Sequence, residues 1–190
     1  MIRSVWLIRH GESTANAGAI TDSHDKIPLT TTGYQQAIQV ASLIPQRPEL
    51  VVTSSFLRTQ QTAYPTLQRF PRVRQECWPV HEFTYLAPST CIGTTAIQRR
   101  ERVNAYWERN DPDHVDGEGA ESFNAMLGRI KQMLERLRQE SSFVIIFTHG
   151  QIMLATRLLL ESPNIQPEAL MKLFRHASPI QNTEIMPLSF

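Results

Sequence analysis

Two short apolar runs each stop at a histidine followed by a glycine, and this pairing limits the possible folds more than any other feature of the chain. The first run, Val5-Trp6-Leu7-Ile8, leads into Arg9-His10-Gly11-Glu12-Ser13. The second, Phe143-Val144-Ile145-Ile146-Phe147, leads into Thr148-His149-Gly150. Each run reads as a buried strand, and each glycine lets the chain turn sharply where the strand ends. Open α/β sheets bind ligands outside the carboxyl ends of their strands. Two imidazoles delivered to that edge, one of them beside an arginine, point to a site that handles phosphate.

The rest of the chain alternates in the same way. Ser4 to Ile8 predicts the first strand, and a helix is expected from near Thr30, after Pro28, with Ala37, Val40, Ala41 and Ile44 on its apolar face. Leu50-Val51-Val52 reads as a second buried strand, followed by a helix from about Leu57 to Phe70 and a third strand within Arg72 to Val80. Phe123, Met126, Leu127, Ile130, Met133, Leu134 and Leu137 repeat at helical spacing and read as core contacts. Helices are expected over Gln151 to Leu160 and Pro167 to Phe174, with a last strand near Ile180 to Met186. This order predicts a three-layer α/β/α sandwich with a mostly parallel central sheet, one domain over residues 1–190. The less regular stretch at about 83–119, with a helix near Thr95 to Glu108, reads as a helical and loop cap inserted beside the site.

Composition narrows the partners. With 19 basic and 18 acidic side chains, the chain lacks the basic excess of a generic nucleic-acid or membrane-surface binder, so neither partner is expected. Any anion must be held by a few focused charges. No apolar stretch approaches spanning length, and Arg3 ahead of the first run does not make a signal peptide. Cys77 and Cys91 read as a reduced pair in a cytoplasmic protein. Gly117-Glu118-Gly119 lacks the third glycine of a dinucleotide fingerprint, and no metal-ligand spacing such as His-x-x-x-His appears, so no cofactor or metal is expected. Asp111, Asp113, Asp116 and Glu118 read as a solvated loop, and Arg99, Arg100 and Arg102 as an exposed helix face, with attraction of a multiply charged substrate as the alternative. His24, His114 and His176 have no supporting context. Nothing in the sequence fixes an oligomeric state.

Four segments together resemble one known family. Leu7-Ile8-Arg9-His10-Gly11-Glu12-Ser13 with Asn16 is similar to the signature of the histidine phosphatase superfamily, the phosphoglycerate-mutase-like group. Pro28-Leu29-Thr30 with Gly33, Gln36 and Ala37 resembles its next block, and Thr53-Ser54-Ser55-Phe56-Leu57-Arg58-Thr59 its second arginine block. Thr148-His149-Gly150 resembles its second histidine, while Glu121-Ser122 and Asn182 fall where such residues occur in the family.

The resemblance implies a phosphomonoester hydrolase that works through a phosphohistidine. Enzymes that hydrolyse such esters lower the barrier by ~20 kcal/mol or more. A covalent route divides the reaction into two easier steps. His10 would attack phosphorus through a neutral ring nitrogen. Arg9 and Arg58 suit the phosphoryl oxygens because guanidinium groups donate in a planar fork. His149 and Asn16 would add donors, and Gly150, like Gly11, would let backbone approach the phosphate. The resemblance also implies a glutamate acid after the third strand; Glu82 is the best match and Glu76 its rival. Glu12 reads as structural. The implied substrate is a small phosphorylated metabolite or a phosphoprotein.

Two other functions stand beside this one. A phosphoglycerate mutase is one, but Ala15 occupies the position where family mutases carry tryptophan, and the chain is short. A non-catalytic phosphate-binding module is the other. The varied middle holds Phe83, Tyr85, Leu86, Tyr106 and Trp107, expected mainly to pack the insertion.

Overall fold

The computed structural model describes residues 4–140 and 142–188; Arg3 lies outside them. Five strands form one sheet: β1 (Val5–Arg9), β2 (Leu50–Thr53), β3 (Arg74–Cys77), β4 (Val144–Thr148) and β5 (Ile185–Leu188). Their order is β3-β2-β4-β1-β5. The first four are parallel, and β5 pairs antiparallel with β1 at the edge. Pro187 is tolerated there because an edge strand can spare a backbone donor.

Alternation along the central strands sorts side chains to two faces. Val5, Leu7, Leu50, Val52, Val144 and Ile146 join a core with α3 (Arg100–Arg109), α4 (Phe123–Gln139), α5 (Gly150–Glu161) and α6 (Pro167–His176). Ile8, Val51, Ile145 and Phe147 meet α1 (Thr31–Leu43) and α2 (Leu57–Arg69) on the other face. The result is the expected three-layer sandwich with a mostly parallel sheet. All seven apolar residues read as the core stripe of α4 are buried.

Register is what gathers the site. Arg9 pairs with Thr148 and Thr53 with Phe147, so β1, β4 and β2 finish together. The next residue along β1 is His10, along β4 His149, along β2 Ser54. His10 N–H extends the ladder to the Thr148 carbonyl at 2.9 Å.

Two elements depart from the sequence reading. The last strand starts at Ile185 rather than Ile180, because residues 180–184 turn back toward the strand ends. Thr183 adopts a left-handed φ of 57°, Glu184 N–H reaches the Gln181 carbonyl at 3.1 Å, and Ile180 is buried outside any strand. The helix expected from Thr95 begins at Arg100. Thr95 and Gln98 close a turn ahead of it through the Thr95 N–H, which donates to the Gln98 side chain at 2.8 Å. Phe83, Leu86, Tyr106 and Trp107 are buried in the larger core cluster, so the 83–119 segment is tied to the α4 side of the sheet.

Candidate active site

At the carboxyl edge of the sheet lies a cavity of about 390 Å³, and Arg9, His10, Asn16, Arg58, Glu82 and Gly150 all line it. These residues come from four separate parts of the chain. His149 is different: it is fully buried and is not among the lining residues, but its ring packs edge-on to His10 with centroids 5.2 Å apart. Glu76 lies elsewhere. It stands on β3, pairs with Arg74 at 3.2 Å and with Arg136, and accepts from Trp78 Nε1 at 2.8 Å.

The tautomer of His10 follows from its neighbours. Nδ1 lies 2.7 Å from the Gly11 carbonyl, which can only accept, so Nδ1 carries the proton. Nε2 is left with a lone pair, and Arg58 Nε donates to it at 3.2 Å. Burial, reinforced by the Arg58 charge, holds the His10 pKa well below the ordinary histidine value. The ring is therefore neutral near pH 7 with a nucleophilic nitrogen at the cavity.

Of the two arginines Arg58 is buried and Arg9 partly so, and both stay charged. Burial lowers Arg58 to about 10, with Glu82 opposing that shift. Its Nη1 donates to the His24 carbonyl at 2.8 Å, and its guanidinium stacks over the Phe56 ring at 4.8 Å. Arg9 is also lowered by burial. Its Nη1 donates to the Ile180 carbonyl at 2.5 Å, which explains why the chain turns back there instead of continuing β5. Arg9 Nε is buried and unpartnered. A side chain at position 150 would place a Cβ 3.2 Å from that same nitrogen, a tight contact that would make the arginine shift.

Asn16 is oriented by its oxygen. Oδ1 accepts from Ser13 N–H (3.2 Å), Ser13 Oγ (3.1 Å) and Asn182 Nδ2 (3.3 Å), so the amide NH₂ is what Asn16 has left for the cavity. Asn182 also donates to the His10 carbonyl at 2.9 Å. Glu12 binds outward: its Oε1 accepts from Thr30 Oγ1 at 2.6 Å, in line with a structural role.

Glu82 is held by one oxygen. Oε1 accepts from Phe83 N–H (3.1 Å) and from Gln151 N–H (3.2 Å) in the first turn of α5. Burial raises its pKa above the ordinary carboxyl value against the pull of Arg58 and Arg9, which favours a protonated, donating form. Its loop is braced in ways the sequence did not announce. Thr148 Oγ1 donates to the Val80 carbonyl at 2.7 Å. Arg129 of α4 grips Glu121 with two nitrogens, at 2.9 and 2.6 Å, and also binds the carbonyls of Pro79 (2.6 Å) and His81 (3.2 Å). Glu121 in turn takes Thr84 N–H at 3.2 Å.

Two further residues, Ser54 and His24, escaped the sequence reading of the site, and Arg99 entered it only as an alternative to an exposed helix face. Ser54 Oγ meets His149 Nε2 at 2.8 Å and Thr59 Oγ1 at 2.9 Å, a buried hydroxyl pair that holds the His149 ring in place. His24 and Arg99 both line the cavity. Ser54 lay inside a quoted motif, but His24 and Arg99 carry no motif of their own. Arg99 therefore departs from the exposed face expected for it; Arg102 does too, pairing with Asp116 at 2.7 Å.

Of the five buried polar side-chain atoms without partners among the described residues, Arg9 Nε, His24 Nε2 and His149 Nδ1 belong to this neighbourhood, while Thr66 Oγ1 and Tyr106 Oη do not line the cavity. Leaving such groups dry costs about 1–3 kcal/mol each, so their gathering at one spot marks a place built to receive a polar guest. Among the described residues no cluster of three or more His, Cys, Asp or Glu suits a metal ion, and no helix is long and apolar enough to cross a membrane. Cys77 and Cys91 are free.

Comparison with known proteins places nearly the whole chain. A model described as the histidine phosphatase superfamily (branch 1) matches residues 5–186. The adenosylcobalamin/alpha-ribazole phosphatase of Escherichia coli is 26% identical over 152 residues, 78% of this chain and 74% of that protein. The metal-independent phosphoserine phosphatase of Arabidopsis thaliana is 24% identical over 169 residues, 83% of this chain and 68% of that one. Among solved structures, a mycobacterial glucosyl-3-phosphoglycerate phosphatase in complex with VO3 shares the fold, with a TM-score of 0.74 and 22% identity over 98% of this chain and 92% of its own.

Proposed function

The chain belongs to the histidine phosphatase superfamily (branch 1), and from that premise we propose that it hydrolyses small phosphomonoesters through a phosphohistidine on His10. The observation that carries the reading is the His10 lone pair, aimed at the same cavity as two arginines and a raised carboxyl group. That the chain is a phosphomonoesterase accords with its relatives, which are named phosphatases.

In the first step His10 Nε2 attacks phosphorus, the P–O bond to the leaving group breaks, and Glu82 gives its proton to the departing oxygen. Arg58 exchanges its contact with Nε2 for a phosphoryl oxygen, so binding of phosphate uncovers the nucleophile. Arg9, Asn16 and His149 Nδ1–H supply further donors. In the second step the Glu82 carboxylate takes a proton from water, the water oxygen attacks the phosphohistidine, and inorganic phosphate leaves with Nε2 restored. Removing a single donor of this kind at a transition state typically costs ~100- to 1,000-fold in rate. No step is assigned to a metal.

The cavity volume favours a metabolite over a folded phosphoprotein, since about 390 Å³ lies in the range of small-molecule sites. The same reading treats the chain as one domain with 83–119 as its cap, and places it in the cytoplasm. The test is turnover of para-nitrophenyl phosphate by the wild type and by His10→Ala, with phosphoenzyme trapped by acid-free quench. The wild type is expected to turn over after chelation and to form a phosphoenzyme that water discharges quickly. His10→Ala is expected to do neither. Full activity in His10→Ala overturns the assignment, and a durable phosphoenzyme that discharges onto a phosphoglycerate replaces hydrolysis with mutase transfer.

A further inference from the structure

The cavity contains a third arginine that phosphoryl transfer does not use. Arg99 precedes α3 and lines the wall with Thr84, Tyr85 and Ala96. Its Nη1 is committed to the turn at 91–94, donating to the carbonyls of Cys91 (3.2 Å) and Thr94 (2.7 Å) and to Thr94 Oγ1 (2.7 Å). Nη2 reaches only Thr21 Oγ1, at the long distance of 3.5 Å. Nε has no partner among the described residues.

No carboxylate pairs with Arg99 among the described residues, whereas Arg74, Arg102, Arg129 and Arg136 each hold one. The side chain is half-buried, so its charge is partly withdrawn from water and not offset by a neighbour. The side it leaves unengaged, Nε–H with an Nη2–H, is the pair of parallel donors that an oxyanion accepts. The lining of the same cavity includes His24, whose Nε2 is buried and unpartnered. His24 and Thr84 also line an adjoining cavity of about 350 Å³. There is thus room beyond the phosphoryl position, with a free cation and an unsatisfied imidazole nitrogen along it.

We propose that Arg99 is a specificity-determining residue, binding a second oxyanion carried by the leaving group of the substrate, a carboxylate or a second phosphate. The proposal rests on the phosphatase reading and adds the class of substrate: an anionic leaving group, not a neutral or cationic one. Arg9 and Arg58 hold the transferred phosphoryl group, and Arg99 selects what remains.

The experiment compares matched esters: 3-phosphoglycerate, glycerol 3-phosphate, which has a hydroxymethyl group in place of the carboxylate, and propane-1,3-diol bisphosphate. The wild type is expected to favour one of the two esters with an anionic leaving group over glycerol 3-phosphate by at least tenfold in kcat/KM, and which one is favoured identifies the oxyanion. In Arg99→Gln that ratio is expected to fall to within twofold, while Arg99→Lys keeps part of it through charge without the fork. Because Arg99 also ties down the 91–94 turn, a measurement on the wild type alone stands beside the variants: where 3-phosphoglycerate is the favoured ester, inhibition by glycerate should exceed inhibition by glycerol at least tenfold. A wild-type enzyme that turns over all three esters within threefold, or an Arg99→Gln that keeps the ratio, overturns the proposal and leaves the phosphatase reading intact. No turnover of these esters or of para-nitrophenyl phosphate overturns the phosphatase reading itself.

Discussion

At the scale of single residues, the site works by giving two side chains opposite protonation preferences. Burial and the Arg58 charge keep His10 neutral below its usual range, while burial keeps Glu82 protonated above its own. In the proposed mechanism the nucleophile and the acid would thus be ready in the same pH interval, the pattern by which environments separate acid and base roles. The sign for activity follows. A raised Glu82 supports leaving-group protonation below its pKa, and kcat/KM should decline as pH rises through it. Glu82→Gln keeps the shape but removes the proton, so an alkyl phosphate should lose ~100- to 10,000-fold. Para-nitrophenyl phosphate, whose phenolate leaves without help, should lose much less. The alkaline decline should also vanish in this variant. Equal losses on both esters, with the decline unchanged, would show that Glu82 is not the acid.

Secondary-structure elements place these residues through backbone contacts that admit no side chain. A Cβ at Gly33 would sit 2.0 Å from the Glu12 carbonyl oxygen, and one at Gly11 would sit 2.5 Å from the Gly33 oxygen. The first turns of α1 thus lie directly on the loop that carries His10, and Thr30 caps the helix by accepting Gly33 N–H at 3.0 Å. Gly33→Ala should destabilise the fold by about 2–3 kcal/mol, the range for overpacking a tight contact, and should lower kcat with it. Gly128→Ala is the matched control. That glycine lies inside α4 with open space around it, and the change should stabilise by about 0.5–1 kcal/mol. The midpoints of urea unfolding check both. Elements of this kind were legible where periodicity was strong: β1, β2, β4 and α4 fell close to their expected bounds because burial on one or both faces leaves an unmistakable apolar pattern. The start of β5 was not, because Ile180 is apolar for a different reason: it is a buried loop residue whose carbonyl holds Arg9. The motif residues of the site were legible for the same local reason, but Arg129, His24 and Arg99 reach it only through the fold. No spacing in the sequence encodes an α4 arginine that clasps the Glu82 loop.

The whole molecule bears the energetic consequence of keeping its histidines dry. His10, His24, His81 and His149 all lie below the ordinary histidine pKa of 6.5 in the folded state, in each case chiefly through burial. On unfolding below that pH they regain protons that the native state does not hold, so stability must fall as pH drops from about 6.5. Each fully affected histidine contributes about 1.4 kcal/mol per pH unit. His10 and His149 are the most deeply buried, so together they set a slope of roughly 3 kcal/mol per unit. Glu82 acts in the opposite sense: its raised pKa means the native state keeps a proton above 4.5 that the unfolded chain releases, which flattens the slope at the acid end. Urea unfolding between pH 7 and pH 5 should show this decline, and His10→Gln should remove about half of the two-histidine share. Inorganic phosphate at 100 times its dissociation constant should add back about 2.7 kcal/mol, because it binds the folded site alone. That restoration should be lost in a variant lacking Arg58, since the anion would then have one fewer buried cation to meet. A stability that is flat from pH 7 to pH 5 would mean that these histidines titrate in the native state as they do in the unfolded chain, and the lowering that keeps His10 neutral into the acid range would be refuted.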